Sequence, residues 1–215
     1  MGVLAMDVKD MIPSVVESAD RFLKSLDSDR EEIVKTSRDV IRYSGWSITY
    51  LHQGDIAKAK ENLDKCEDLT RRMLDLSSAH PELAYSGLVY NAVSEYVEAK
   101  LFYSIVVEGK VPSFEELKVH PVPYLQGLGD VVGELRRLAL EKLRQGDIDL
   151  AWKLLEIMEA IYTSMRSLDY PDSVLPGVRH KVDVARSLID DTKAILVDIQ
   201  SREELKRALA EARRV

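Results

Sequence analysis

The chain contains 215 residues with a mass of 24.3 kDa, and 46% of its residues are hydrophobic and 31% charged. This balance excludes collagen-like, low-complexity and disordered chains and predicts a globular protein with a sizeable core. Because 37 acidic residues exceed 30 basic ones, the net charge of -7 disfavours nucleic-acid binding through a uniformly basic surface. Cys66 is the single cysteine, and no apolar run approaches the ~20 residues of a membrane span, so we expect a cytoplasmic protein without disulfides.

Helical periodicity runs through almost the whole sequence, and no segment sustains the alternation of a strand. The series Val34, Ile41 and Ile48, at heptad spacing, predicts a long first helix from Asp27 to about Gly54. Later helices are predicted over residues 56–76, 80–109, 123–146, 148–165 and 178–199, with a short connecting element at 111–119 and a charged last segment capped by Ser201. We therefore predict an all-α protein, a bundle of about seven helices in a single domain spanning residues 1–215.

Two glycine–aspartate pairs, Gly54-Asp55 and Gly146-Asp147, mark predicted corners between helices. Each glycine suits the left-handed conformation that ends many helices, and each aspartate suits the cap of the helix that follows. Only two copies occur, and they are much further apart than the ~34–47 residues of helical repeat arrays. We interpret them as two corners of the same kind.

The predicted third helix carries two carboxylates, Glu95 and Glu98, in an otherwise apolar stretch from Leu88 to Val107. They lie on one face about one turn apart, where like charges repel unless a cation or a proton lies between them. Because a buried, unpaired carboxylate is costly, a divalent metal ion is a candidate partner. The alternative is a residual solvent strip or ion pairs with Arg or Lys.

A second acidic pair, Asp130 and Glu134, lies on one face of the helix predicted from Pro123 to Gly146. Three glycines surround this pair: Gly127, Gly129 and Gly133. Each costs ~1 kcal/mol relative to Ala inside a helix, so they predict close approach by another backbone. If the two acid-bearing helices pack together, four carboxylates form an oxygen-ligand site for Mg²⁺ or Mn²⁺. The alternative is an ordinary polar face with Glu134 paired to Arg137.

The acidic pairs belong to a longer series of segments that match a known family. These are Ser94–Ala99 after Ser86–Leu88, Pro123–Asp130 running into Gly133–Leu135, Gly146–Asp149, Val34–Asp39 and Leu51-His52. Over about residues 29–196 the chain resembles the translin family, and within it the branch of translin-associated factor X (Trax).

This resemblance implies a metal-dependent endoribonuclease that acts on single-stranded RNA and assembles as a hollow homo-octamer, with duplex RNA and single-stranded DNA as further possible ligands. Trax is the catalytic subunit of the translin–Trax ribonuclease, and its acidic metal-binding residues match Glu95, Glu98, Asp130 and Glu134 here. Translin lacks this acid set, so the alternative is a non-catalytic oligomer that binds single-stranded RNA or DNA. The chain lacks the basic N-terminal extension of animal Trax, so we expect a compact, stand-alone version.

Basic residues on two predicted helices are candidates for contacts with RNA phosphates: Lys35, Arg38 and Arg137. All three lie among acidic residues, so a solvated helix face is the alternative. Tyr124 is a candidate for stacking on a base, with a core position as the alternative. No metal-binding motif involves the four histidines, so surface or capping positions are expected for His52, His80, His120 and His180.

Overall fold

Helices make up almost all of the computed structural model, which describes residues 4–212 and, for side chains, residues 8–212. In this range the elements are α1 (Leu4–His52), α2 (Ile56–Ser77), α3 (Pro81–Ala84), α4 (Gly87–Tyr103), a π-helical turn (Ser104–Glu108), α5 (Phe114–Leu117), α6 (Pro121–Arg144), α7 (Ile148–Met165) and α8 (Val178–Ala212). No strand occurs between residues 4 and 212, so the all-α prediction is confirmed. The described helices number eight rather than about seven, because the count includes α3 and α5, which are single turns of four residues each.

The first helix begins at Leu4, well before the predicted start at Asp27, and contains Pro13 in its interior. Its part from Ile33 onward packs into the bundle, where the buried stripe consists of Ile33, Val40, Ser44, Ile48 and Leu51. Small serines on this stripe allow close packing, and the Ser44 hydroxyl lies 3.1 Å from the Cys66 sulfur of α2. Of the predicted stripe, Ile48 is buried, whereas Val34 and Ile41 are only half-buried because Ile33 and Val40 face the core in their place. The predicted N-terminal boundary of α1 is wrong.

Both glycine–aspartate corners form as predicted. Gly54 and Gly146 adopt positive φ angles of 79° and 85°, which end the helices before them. The Asp55 carboxylate then accepts a hydrogen bond from the Lys58 backbone N–H, and the Asp147 carboxylate accepts one from the Leu150 backbone N–H. Each corner reverses the chain, so α1 packs against α2 and α6 packs against α7.

Two predicted helix boundaries differ from the structure. The helix expected from residue 80 to 109 is broken at Ser86, whose extended backbone and hydroxyl cap α4 by accepting a hydrogen bond from the Val89 N–H. The predicted cap at Ser201 lies inside α8, which continues to Ala212. Serine caps a helix only where the backbone is already non-helical, and no glycine or proline precedes Ser201 to break the helix.

Helix α4 occupies the centre of the bundle, where it contacts α1, α2 and α6. Its buried apolar residues therefore point in several directions: Val89, Ala92, Val93, Tyr96, Val97, Ala99, Leu101, Phe102 and Tyr103. Helix α6 in turn contacts α7 and α8, so α4 and α6 are the two interior helices. None of the helices described between residues 4 and 212 combines the length and apolar character needed to cross a membrane.

Candidate functional site

Four carboxylates lie close together where α4 packs against α6, and we call them the acidic cluster. Helix α4 supplies Glu95 and Glu98, and α6 supplies Asp130 and Glu134. The charges of the other three all act on Glu98, and the charge of Asp130 also acts on Glu95. The structure thus brings together all four acids that the sequence predicted as site residues.

Burial and like charges raise the pKa of both carboxyl groups on α4. For Glu98, burial is the main cause, followed by the charges of Asp130, Glu95 and Glu134, and the pKa rises to about 8. The pKa of Glu95 is also raised, by burial first and then by Asp130. The ammonium group of Lys181 opposes both shifts. Glu98 therefore retains a proton at neutral pH unless another cation joins the cluster.

Lys181 of α8 binds Asp130 with two short hydrogen bonds. Its Nζ donates to both carboxylate oxygens of Asp130, each at 2.6 Å. Gly129 allows this approach, because a Cβ atom there would lie 2.9 Å from the Lys181 Cβ. Sequence analysis missed Lys181, which lies 51 positions from Asp130 and belongs to no recognised segment.

His52, at the last position of α1, contacts Glu134 of the acidic cluster. Its Nε2 lies 2.5 Å from the Glu134 Oε2, and its ring packs on Phe102 with the centroids 5.0 Å apart. The side chain is only 8% exposed, so the expected surface or capping position is wrong for His52. The available signal was its place in the Leu51-His52 segment of the family resemblance.

Of the other three histidines, two occupy the expected surface or capping positions and one does not. His120 caps α6 by accepting a hydrogen bond from the Val122 N–H, and His180 is exposed, as expected. His80 is buried instead, with its Nε2 3.1 Å from the carboxylate of Asp29. Burial of His80 reflects the packing of the α2–α3 connection under α1, which no local pattern specifies.

The glycines of α6 explain how its acids come so close to α4. A Cβ atom at Gly127 would lie 2.6 Å from the carbonyl oxygen of Ser94, so the backbones of the two helices approach closely there. The predicted close approach by another backbone is therefore confirmed at Gly127, whereas at Gly129 the approaching atoms belong to the Lys181 and Met165 side chains. It is wrong at Gly133, where an added Cβ would meet nothing within 4 Å.

The candidate RNA-contacting residues are not all near the acidic cluster. Arg137 is adjacent to it, with Nη1 3.7 Å from the Glu134 Oε2, a contact that the ordinary ion-pair alternative also anticipated. Lys35 and Arg38 are exposed on α1, but they lie roughly 20–26 Å along the helix from His52. The structure therefore does not bring Lys35 and Arg38 to the acids.

Tyr124 has a packed position rather than an open one. Its hydroxyl donates a hydrogen bond to the Pro112 carbonyl oxygen at 2.8 Å, and its ring meets Phe114 edge-on. Burial also raises the pKa of the phenol. These contacts favour the core alternative over base stacking.

The donor atoms of the acidic cluster suit a hard divalent cation, because all of them are carboxylate oxygens. The raised pKa of Glu98 indicates the same need, since added positive charge would relieve the repulsion. As the side chains stand, no group of three or more His, Cys, Asp or Glu residues among the described part of the chain is arranged to hold an ion. Asp130 and Glu134 instead contact Lys181 and His52.

Comparison with known proteins identifies the family. The model of the Translin family matches residues 28–202. The chain belongs to the translin family. An uncharacterized relative from Methanocaldococcus jannaschii is 32% identical over 191 residues, covering 86% of this chain and 85% of that protein. Translin-associated protein X of Rattus norvegicus is 25% identical over 172 residues, covering 61% of this chain and 59% of the rat protein.

Solved structures of translin-family relatives have the same fold. A complex of AfC3PO with duplex RNA and a crystal structure of AfC3PO each superpose with a TM-score of 0.80 at 35% identity, over 87% of this chain and 97% of theirs. Apo-NeC3PO superposes with a TM-score of 0.77 at 26% identity, over 85% of this chain and 95% of that one. The Trax-like membership and the translin-like all-α fold are therefore confirmed.

Proposed function

We propose that this translin-family protein is a metal-dependent endoribonuclease of the cytoplasm that binds and cleaves single-stranded RNA inside a homo-oligomeric shell, with the octamer as the proposed size. The observation that carries the proposal is the convergence of Glu95, Glu98, Asp130 and Glu134 between two interior helices. Two relatives support the proposal: one is a translin-associated protein X, and another, AfC3PO, has been solved in complex with duplex RNA.

Each residue of the site has a definite part in this proposal. Glu95, Glu98 and Asp130 hold Mg²⁺ or Mn²⁺, and Glu134 is either a further ligand or orients the attacking water. When bound, the ion polarises the scissile phosphate and lowers the pKa of a bound water. The contact with His52 fixes the direction of the Glu134 carboxylate, and Lys181 balances the charge of Asp130 in the unloaded protein.

The test is cleavage of a labelled single-stranded oligoribonucleotide by the purified full chain in the presence of Mg²⁺ or Mn²⁺. Addition of EDTA, which removes the metal ion, should stop the cleavage. We expect Glu98→Gln and Asp130→Asn each to lower the rate by at least about 100-fold, with unchanged helical circular dichroism. Glu141→Gln is the matched control, because Glu141 lies on the same helix but pairs with Arg144 outside the cluster. Full activity in both cluster variants would refute the metal site.

The proposed substrate class can be tested with matched single-stranded RNA, duplex RNA and single-stranded DNA at one salt concentration. An enclosed site favours flexible single strands over a stiff duplex. Binding should weaken steeply as salt rises, and Arg137→Gln should reduce the logarithmic salt slope by about one if Arg137 contacts a phosphate. Equal cleavage of the three substrates would refute the preference for single-stranded RNA.

The second candidate is a non-catalytic oligomer that binds single-stranded nucleic acid. It is favoured by the contacts of Asp130 with Lys181 and of Glu134 with His52, since such pairs also suit a purely structural polar cluster. RNA binding that is sensitive to salt but leads to no metal-dependent cleavage would select this alternative.

A further inference from the structure

The N-terminal part of α1 extends beyond the bundle as a helical arm, which we define as residues 8–26. Seven of its apolar side chains each expose between 52% and 67% of their surface: Val8, Met11, Ile12, Val15, Val16, Phe22 and Leu23. The arm meets the body at its last turns, where the Phe22 ring lies against His80 and Leu26 is partly buried. It precedes residue 28, where the match to the family begins.

The apolar residues of the arm follow a heptad pattern. They recur in alternating steps of four and three residues, at Val8, Ile12, Val15, Ala19, Phe22 and Leu26. This spacing of 3.5 residues per repeat forms the seam of a coiled coil. Charged residues lie on the opposite face, where Arg21 contacts Glu17 and Lys24 contacts Asp20 along the same helix. The arm is therefore an amphipathic helix with one continuous apolar seam.

An arm of this sequence needs a partner to remain helical. Pro13 has no N–H to donate to the Lys9 carbonyl, and proline inside a helix costs about 3 kcal/mol. Its β-branched residues Val8, Ile12, Val15 and Val16 favour helix formation only weakly. At roughly 100 Å² for each of the seven side chains, the arm exposes about 700 Å² of apolar surface, close to the ~800 Å² per partner of a standard interface.

The charges of the arm indicate the chemistry of that partner. Within the arm there are three basic residues, Lys9, Arg21 and Lys24, and three acidic ones, Asp10, Glu17 and Asp20, so it has no net charge. Such a balance offers no attraction to RNA or to an anionic lipid surface. A second apolar seam of the same kind fits better, and another copy of this chain supplies one.

We propose that the arms of two copies pair through these seams as a short coiled coil, which adds a contact between subunits outside the family domain. The part of the seam before Phe22 brings Val8, Ile12 and Val15 of one chain against the seam of the other, while Phe22 stays against His80 of its own chain. The inference rests on the arm alone and does not depend on RNA cleavage. Its failure would leave the proposed nuclease function unchanged.

Disulfide cross-linking of the full chain tests this pairing. In a parallel pair, position 15 of one chain faces position 15 of the other. In an antiparallel pair centred on residue 17, position 15 faces position 19. The double variant Val15→Cys/Ala19→Cys, called the seam variant, therefore reports either arrangement. The native Cys66 is buried and its thiol pKa is raised to about 11, mainly by burial, so it does not compete. The matched control is Ser14→Cys/Glu17→Cys on the charged side of the arm.

We expect mild oxidation to link most of the seam variant into dimers on a non-reducing gel, with at least about fivefold less dimer in the control. Adding Ile12→Asp to the seam variant should remove the cross-link, whereas adding Ser14→Asp, the same charge on the other side, should leave it. Absence of the dimer band would overturn the proposal. Equal bands in seam and control variants, or a band insensitive to Ile12→Asp, would overturn it as well.

Discussion

Glu98 is held among like charges in a partly buried position, and this environment raises its pKa to about 8. The ordinary value is 4.5, so between about pH 4.5 and 8 the folded protein retains a proton that the unfolded chain releases. The associated stability is fully present below pH 4.5 and is lost as the pH rises through 8. Glu98 therefore destabilises the metal-free fold at alkaline pH.

The variant Glu98→Gln should consequently be more stable than the wild-type protein in EDTA at pH 8, by about 1–3 kcal/mol. At pH 4.5 the difference should nearly disappear, because Glu98 is then protonated in the folded state and about half protonated in the unfolded state. Thermal unfolding at the two pH values measures this. A variant that is destabilised equally at both would show instead that the carboxyl group has a structural role.

The pair formed by Lys181 and Asp130 gives a second prediction. In Lys181→Met, Asp130 loses its hydrogen-bonded cation while the charge of Glu95 remains nearby, so the metal-free protein should lose about 1–3 kcal/mol of stability. Adding Asp130→Asn should recover most of the loss. A double-mutant cycle by chemical denaturation measures the coupling, and additive effects of the two changes would show that the pair contributes nothing.

At the scale of elements, the contact of α4 with α6 positions the acids. Gly127 sits against the Ser94 carbonyl and Val97, whereas Gly133, less than two turns later on α6, faces open space. The same helix thus contains one glycine required by packing and one that packing does not require. The pair provides an internal control for how closely the two helices must approach.

We expect Gly127→Ala to destabilise the protein by about 1–3 kcal/mol, because the added methyl group clashes with backbone that cannot easily move. Gly133→Ala should stabilise it by up to about 1 kcal/mol through helix propensity alone. The midpoints of denaturant unfolding compare the two variants. Equal effects in the two would contradict the tight α4–α6 contact.

At the scale of the whole molecule, the arm of α1 carries the densest series of exposed large apolar side chains, and others are scattered along the described chain as far as Leu205 and Leu209 of α8. A soluble monomer rarely exposes so much contiguous apolar surface. The proposed RNA site is an enclosed one, which needs neighbouring subunits to shield it from stiff duplexes. Because the chain has a net charge of -7, its acidic surfaces also have to lie away from the bound RNA strand. Both considerations favour assembly of several copies.

The purified protein should therefore have a mass several times 24.3 kDa by light scattering. The expected species is a homo-oligomer, with the octamer as the proposed size. Dilution to micromolar concentration should leave it intact, since large apolar interfaces dissociate slowly. A monomer at micromolar concentration would contradict both the assembly and the enclosed site.

The sequence by itself determined the features that contiguous residues control. Helical periodicity gave the all-α class, and the Gly54-Asp55 and Gly146-Asp147 corners formed because caps and left-handed glycines act within a few residues. The spacing of Glu95 with Glu98, and of Asp130 with Glu134, placed each pair on one helix face. The family resemblance then indicated that the two pairs belong to one site.

Only the tertiary structure decided which side chains Asp130 and Glu134 contact. Lys181 is 51 positions from Asp130 and His52 is 82 positions from Glu134, so their contacts depend on how α1, α6 and α8 pack. The same holds for the raised pKa of Glu98, which arises from burial and from charges on another helix. Local propensity contains no information about such distant neighbours, because burial and Coulomb interactions depend on distance in space and not on separation along the chain.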